Sequence, residues 1–192
     1  MCIRDRVNSE YPLVLEDGGG IEVDFKSLGG WLDHSSFVAA TDRITKGVSD
    51  DGVDLIELFH AYSLGQATGT TPAFGNATWT GTMVGSDTSL TANRGNRIQG
   101  DATLYFDLSQ LDIDVAFTNI RDIDVAFSND NDDRARLSHE NIVWENIPVT
   151  SGSFATGSDE SSIEGRFYGP NHEEVGGIFE RNEIVGAFGA KR

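Results

Sequence analysis

The stretch from Ile163 to Arg192, IEGRFYGPNHEEVGGIFERNEIVGAFGAKR, decides the fold. Ile163, Gly165 and Phe167 fall on one side of an extended chain and Glu164, Arg166 and Tyr168 on the other, the period-two alternation of a strand with one buried face. Pro170 has no amide hydrogen to give to a ladder and ends that strand. Asn171-His172-Glu173-Glu174 has the composition of one capped helical turn, with Asn171 accepting from the amides that follow it and acidic groups at the helix start. Gly176-Gly177 then releases the chain into strands at Gly177 to Glu180 and Ile184 to Gly189, separated by a turn at Arg181-Asn182. Neither a lysine nor a helix follows these glycines as in a phosphate loop, so they read as architecture.

The same alternation extends upstream. In ATWTGTMVG, Ala77, Trp79, Gly81, Met83 and Gly85 share one side, while Thr78, Thr80, Thr82 and Val84 give a polar outer face. GDATLYFDL places Ala102, Leu104, Phe106 and Leu108 inward, and LDIDVAF does the same with Leu111, Ile113, Val115 and Phe117. Ile142 to Val149, Gly152 to Ala155 and Ile163 to Tyr168 are further strands. The turn clusters Asp87 to Asn96, Asn129 to Asp133 and Thr156 to Ser161 punctuate them. DIDVAFTN from Asp112 recurs as DIDVAFSN from Asp122. It reads either as two neighbouring strands joined by a turn around Thr118 to Arg121 or as a local duplication of one strand. If the two strands pair, Asp112, Asp114, Asp122 and Asp124 share a solvent face, a mild like-charge cost that Arg121 partly relieves. VDLIELFHAY can present Leu55, Leu58, Phe59 and Tyr62 on one helical face, yet its β-branched and aromatic content suits a strand as well.

Inward glycines at Gly81, Gly165 and Gly186 alternate with larger residues and mark bends or close approaches. Repeated in successive strands, they favour a small closed barrel over a sandwich. An antiparallel meander closes without an exposed edge. The expected fold is therefore all-β: a single antiparallel up-and-down β-barrel of about eight strands, preceded by an N-terminal strand or short-helix extension. Residues 1–20 are read as a disordered or spurious leader, 21–74 as an extension packing on the barrel, and 75–192 as the barrel domain.

A chain of 192 residues has one domain's length and enough apolar material for one core. Its 14 Lys+Arg against 31 Asp+Glu give a net charge of −17. That surface repels nucleic acid and anionic lipid, so no nucleic-acid partner is expected and a basic partner is preferred. Cys2 is the single cysteine, which excludes an internal disulfide and a cysteine-based zinc site. No apolar run approaches the roughly 18 residues of a membrane helix, and no lipobox precedes Cys2.

The ordered residues of the terminal stretch, Gly165, Phe167-Tyr168-Gly169-Pro170-Asn171, Glu173-Glu174-Val175-Gly176-Gly177-Ile178-Phe179 and Gly186-Ala187-Phe188-Gly189-Ala190-Lys191-Arg192, resemble the end of the C-terminal β-barrel domain of transferrin-binding protein B and its relatives. These are surface lipoproteins that include haemoglobin-receptor accessory and factor H-binding proteins. Ala77 to Gly85 is similar to the family's first barrel strand, with a weaker likeness at Gly30-Trp31-Leu32-Asp33-His34-Ser35. The resemblance implies a non-enzymatic, surface-exposed binding module. It would be lipid-anchored at the outer membrane through a segment outside this chain, monomeric, and bind a protein, iron- or haem-carrying or basic, through its loops. Transferrin specificity and individual contact residues do not carry over. Two alternatives stand beside it: a lipocalin-like carrier of a small hydrophobic ligand or haem, and a purely structural barrel lobe of a longer receptor. Bulky inward residues such as Trp79, Met83, Leu104, Phe106, Ile113, Phe117 and Phe167 count against a cavity.

No catalytic, cofactor or metal residue is assigned, and no cofactor is expected. His34, His60, His139 and His172 lack HxH or HExxH spacing. Asp130, Asn131, Asp132 and Asp133 lack the glycine and distal glutamate of an EF-hand and read as a solvated loop. GxSxG is absent. Trp79 and Trp144 read as barrel core, whereas Trp31 either packs across the barrel end or pairs in an extra strand.

Overall fold

The computed structural model describes residues 2–7, 13–14, 20–49, 52–73, 75–91, 93–124, 138–158 and 160–192, with side chains described from Asp24 onward apart from 46–55. The elements are β1 (Cys2–Val7), β2 (Leu13–Val14), β3 (Gly20–Trp31), β4 (Ser35–Ser49), β5 (Gly52–Gly65), β6 (Ala77–Asp87), β7 (Arg97–Asp107), β8 (Asp112–Asp122), β9 (Ile142–Thr150), β10 (Ser153–Ser158), β11 (Ser161–Tyr168), β12 (Glu174–Arg181) and β13 (Ile184–Lys191). Strands β6 to β13 form one closed antiparallel meander, sealed by β13 against β6. The remaining strands form a separate sheet in the order β1-β3-β4-β5, with β2 paired to β3.

One face of every barrel strand is apolar and turned inward, while the other is polar except where β6, β12 and β13 carry small or apolar residues. Trp79, Met83, Leu104, Phe106, Ile113, Phe117, Phe167 and Phe188 are fully buried in one continuous cluster. Phe117 meets Phe179 and Phe188 with ring centroids 4.7 and 5.3 Å apart, and Trp79 meets Phe167 at 5.2 Å. Each such ring contributes about 1.5–3 kcal/mol by burial. The Trp79 indole N–H donates to the His172 carbonyl at 2.9 Å, so the one polar atom of that side chain is satisfied. Asp101, Thr103, Glu145, Glu164, Arg166 and Glu180 face outward. This apolar interior and polar exterior are the reverse of a membrane-spanning barrel.

The inward glycines answer to close approach. A Cβ at Gly165 would enter the Phe154 ring, one at Gly186 would lie 2.6 Å from Phe179, and one at Gly81 would run into Ala190. Phenylalanine on one strand thus lies over glycine on its neighbour, which lets a barrel this narrow hold eight aromatic-rich strands. Between β12 and β13, Asn182 and Glu183 have φ of 53° and 58°, the two-residue turn whose twist matches the flanking strands.

VDLIELFHAY takes the strand alternative: it lies within β5, with Leu58 opposite Asp42 and Tyr62 opposite Val38. Other sequence readings are corrected. The two DIDVAF copies do not form a hairpin: Thr118 to Arg121 lies inside β8, where Asn119 at φ 52° sits at a bulge against β7. The bulge carries the strand past the expected turn, so Asp122 is buried and does not share the solvent face of Asp112 and Asp114. Around Asn171 the chain makes a turn and no helical turn. His172 has φ 59°, and the Asn171 amide and side-chain nitrogens both donate to Glu173. Cys2–Val7, which nothing in the sequence draws into the fold, runs antiparallel to β3 with Cys2 opposite Trp31. The turn cluster Asn129 to Asp133 lies outside the described residues.

Candidate protein-binding surface

The sheet β3-β4-β5 lies across the outside of β12, β13 and β6, and its two faces have different fates. Residues directly opposite in an antiparallel pair share a face. Leu28, Phe37, Ala39 and Ala61 therefore look one way, into a second apolar cluster with Val84, Ala187, Ile123 and Ile178 of the barrel exterior. Phe37 sits directly on Gly189, where a Cβ would enter its ring. The outer face of β6, read from sequence as polar throughout, is covered from Thr82 onward, with Val84 fully buried. The small outward residues of the closing GAFGAKR motif are thus the seat of the extension.

Polar groups pin this seat at three places. The Glu174 carboxylate, 1% exposed, accepts from the Asp33 amide at 2.6 Å, the His34 amide at 3.0 Å and the Ser35 hydroxyl at 2.7 Å. It thereby holds the β3–β4 turn, with Ser35 the one side chain of the turn that donates to it. At the far end Glu57 accepts from Arg43 at 2.9 Å and from Arg94 of the β6–β7 loop, while Arg94 also caps the Thr88 carbonyl and lies 4.9 Å over the Phe59 ring. On β3, Lys26 reaches Asp124 at 3.4 Å, and Arg97 binds the same carboxylate at 2.6 Å. Burial works to raise the Asp124 pKa. Hydrogen bonds from the Arg97 side chain and amide, with the charges of Arg97 and Lys26, outweigh it and hold the carboxyl below its ordinary value.

The opposite face of the sheet carries a cluster of exposed apolar side chains beside Ser36, Asp42 and His60. Trp31, Ile56, Leu58, Tyr62 and Leu64 are 42–65% exposed, and they make up five of the nine most exposed large apolar side chains among the described residues. The register sets Leu64, Ser36 and Trp31 in one row and Tyr62, Val38 and Gly29 in the next. Gly29 leaves a shallow cavity of about 280 Å³ between Trp31, Val38, Tyr62 and Leu64. His60 stacks on Tyr62 with centroids 6.1 Å apart and reaches Asp42 at 3.3 Å. Aromatic side chains around a pocket on a rigid sheet are the composition of a protein-contact centre.

The residues weighed from sequence are dispersed. Trp79 and Trp144 are core, as expected. Trp31 pairs within β3 opposite Ser36 and does not cross the barrel end. His34 stands against Gly169, His172 contacts Thr70 through its ring at 2.9 Å, and the His139 amide bonds the Ile120 carbonyl at 3.0 Å. Among the described residues no three His, Cys, Asp or Glu side chains come together as a metal site. Asp130 to Asp133 lie outside the described residues. The residues that sequence reasoning missed are Ile56, Leu58 and Leu64. Their signal was present as IxLxHxYxL from Ile56 to Leu64, a period of two that competed with the helical spacing of Leu55, Leu58, Phe59 and Tyr62.

A search of curated proteins finds no match. Among solved structures, a protein described as a surface lipoprotein is 14% identical, with 97% of this chain and 81% of that one covered at a TM-score of 0.48. Intact Ap-TbpB, comprising N and C lobes, is 15% identical at a TM-score of 0.36, with 95% of this chain covered but only 37% of that one. The family model for the C-lobe and N-lobe β-barrels of Tf-binding protein B matches residues 71–192. With well over half its length so matched and an eight-stranded closed meander observed over the same residues, the chain belongs to the Tf-binding protein B β-barrel family.

Proposed function

We propose that this chain is a non-enzymatic, cell-surface protein-binding lobe, carried by a lipid anchor outside the chain, that engages its partner through the outer face of the extension sheet. The observation that carries this reading is the row of Trp31, Tyr62 and Leu64 around the Gly29 cavity, with Ile56 and Leu58 continuing it. A barrel that locks the sheet from behind lowers the entropic cost of binding, because the contact residues are already in place. Four of the described barrel loops offer less than this face. The β9–β10, β10–β11 and β12–β13 connections are two residues each, and the β6–β7 loop is tied to Glu57 by Arg94. The net charge of −17 favours a partner with a basic surface by steering its approach.

The barrel interior supports no carrier role, since Trp79, Phe106, Phe117 and Phe167 fill it with their own rings. The test is surface plasmon resonance of the immobilised chain against transferrin, other iron-carrying proteins, haem proteins and free haem at physiological salt. Saturable binding of one protein is expected, weakened at least about tenfold by Tyr62→Asp with Leu64→Asp, because central aromatic contacts dominate such interfaces. Binding of haem alone, or protein binding indifferent to the double substitution, overturns the assignment.

A further inference from the structure

The sheet also has an open edge. β5 pairs with β4 and with no other strand among the described residues. The Gln66 amide bonds the His34 carbonyl, which fixes the parity of the ladder: Leu64, Tyr62 and His60 bond to β4, so the amides and carbonyls of Ser63, Ala61 and Phe59 point outward from the edge. Natural edge strands are blunted by charged side chains, proline, bulges, inward-pointing charges, short length or a covering segment. Glu57, turned inward to Arg43 and Arg94, is such a charge at the start of β5. From Phe59 to Gly65 the edge has no lysine, arginine, proline or acidic residue, and the irregularity in the β4–β5 pairing lies away from it, between Lys46 and Ser49.

Beside the edge the barrel falls away as a wedge. Its closed corner is the Ala67–Tyr168 bridge, reinforced by the Ser63 and Tyr168 hydroxyls at 3.2 Å. From there a cleft of about 330 Å³ opens between Ser63 and Arg166, and a second of about 520 Å³ follows between Ala61 and Thr156. Ile178 lines both clefts. The wider one is lined by Glu164 and Glu180 and by no cationic side chain.

We propose that the β5 edge and this wedge together receive one extended strand of a partner polypeptide, which adds to the sheet as a further strand. Main-chain hydrogen bonds to Phe59, Ala61 and Ser63 would supply affinity, and alternate side chains would face the wedge. The wedge selects small or branched apolar residues over Ile178 and a basic residue beside Glu164 and Glu180. A second copy of this chain is a poor occupant. Its net charge of −17 sets it against a cleft lined by Glu164 and Glu180. This proposal rests on the protein-binding reading above and specifies the partner's backbone conformation and charge.

The probe is a capped ten-residue peptide in which every second residue is threonine and the wedge-facing residues between them are valine and lysine in turn, fluorescently labelled and titrated against the full chain. A second peptide carries N-methyl valines that cannot donate to an edge, and a third replaces lysine with glutamate. Expected are saturable anisotropy, slowed hydrogen exchange at the Phe59, Ala61 and Ser63 amides, and at least about tenfold weaker binding of both altered peptides. Ala61→Pro, which removes an outward amide and no ladder bond, is expected to match that loss; the N-methyl peptide makes the same test without altering the protein. Unchanged exchange at those amides, or equal binding of the N-methyl peptide, overturns the proposal. So does protection of the same amides that grows with chain concentration when no peptide is present. A panel protein that binds and is weakened by the Tyr62 and Leu64 substitutions, while the peptide leaves the edge unprotected, refutes the edge alone.

Discussion

Removing the Glu174 carboxylate should release the β3–β4 turn while leaving the barrel closed. The side chain is buried and takes hydrogen bonds from two amides and a hydroxyl. Hydrogen bonds to a charged group are worth about 1.5–3 kcal/mol each. Asp33 and His34 are exposed, so water can replace part of what is lost, and Glu174→Ala is expected to cost about 3–5 kcal/mol. Glu174→Gln keeps the volume and one carbonyl oxygen. That oxygen can still accept from Asp33 and His34, and the Ser35 hydroxyl can turn to accept from the new amide. The expected cost is then about 1–1.5 kcal/mol, the charge-assisted share alone. Urea unfolding followed by circular dichroism measures the two costs, and hydrogen exchange locates them. In the alanine variant the amides from Gly30 to Phe37 should exchange faster while those of β7 and β8 stay protected. Equal costs for the two variants, or a cost below about 1 kcal/mol for alanine, would refute the view that this carboxylate holds the turn.

Other expectations follow from the same seat. Gly189→Val puts branched carbons into the Phe37 ring and should cost about 1–3 kcal/mol, with Gly189→Ala costing less and Phe37→Leu partly rescuing the valine variant, as read by thermal melting. The Asp124 pKa lies below its unfolded value, so its contribution to stability is present above about pH 4 and is lost as pH falls through the folded pKa. Asp124→Asn should flatten the acid limb of a pH–stability curve, and an unchanged limb would show that the Lys26 and Arg97 contacts contribute nothing. Burial, with the charges of Asp114 and Asp107, holds the Asp112 carboxyl above its ordinary value, so Asp112→Asn should raise the melting temperature slightly at pH 7 and the gain should shrink on acidification.

The barrel was legible because its rule is local. Strands β7 to β9 and β11 alternate apolar and polar residues, and the inward glycines sit against a neighbouring Phe154 or Phe179, so the pattern of a narrow closed barrel can be read strand by strand. The extension was harder to read for a physical reason. Both faces of β5 carry apolar residues, Phe59 and Ala61 toward the barrel and Leu58, Tyr62 and Leu64 toward solvent, and a strand apolar on both faces loses the period that marks it. Glu174 was legible only as an acidic residue near a turn, because its partners lie about 140 positions away in sequence. The bulge at Asn119 was concealed by the repeat itself, which suggests a turn wherever two copies abut. The clustering of Trp31 with Tyr62 and Leu64 depends on a register that no single strand specifies.

The two faces of the extension are linked energetically. A sheet of three long strands with one side open to water cannot supply its own second layer. Here the outer wall of the barrel supplies it, through residues kept small on β12 and β13 so that Phe37 and Leu28 can approach. The contacts with the barrel are therefore made by the inner face. On the outer face Tyr62 and Leu64 stand exposed, apolar and contiguous with Trp31. Leu90 and Leu111, also exposed, stand in separate turns of the barrel. Exposed apolar area carries a solubility cost that a monomeric surface ordinarily sheds, so its concentration on the face turned away from the barrel fits the proposed contact with another polypeptide. The Phe59–Gly65 edge of β5 borders that same face, and a strand added there would lie beside Tyr62 and Leu64 on one side and over Ile178 on the other.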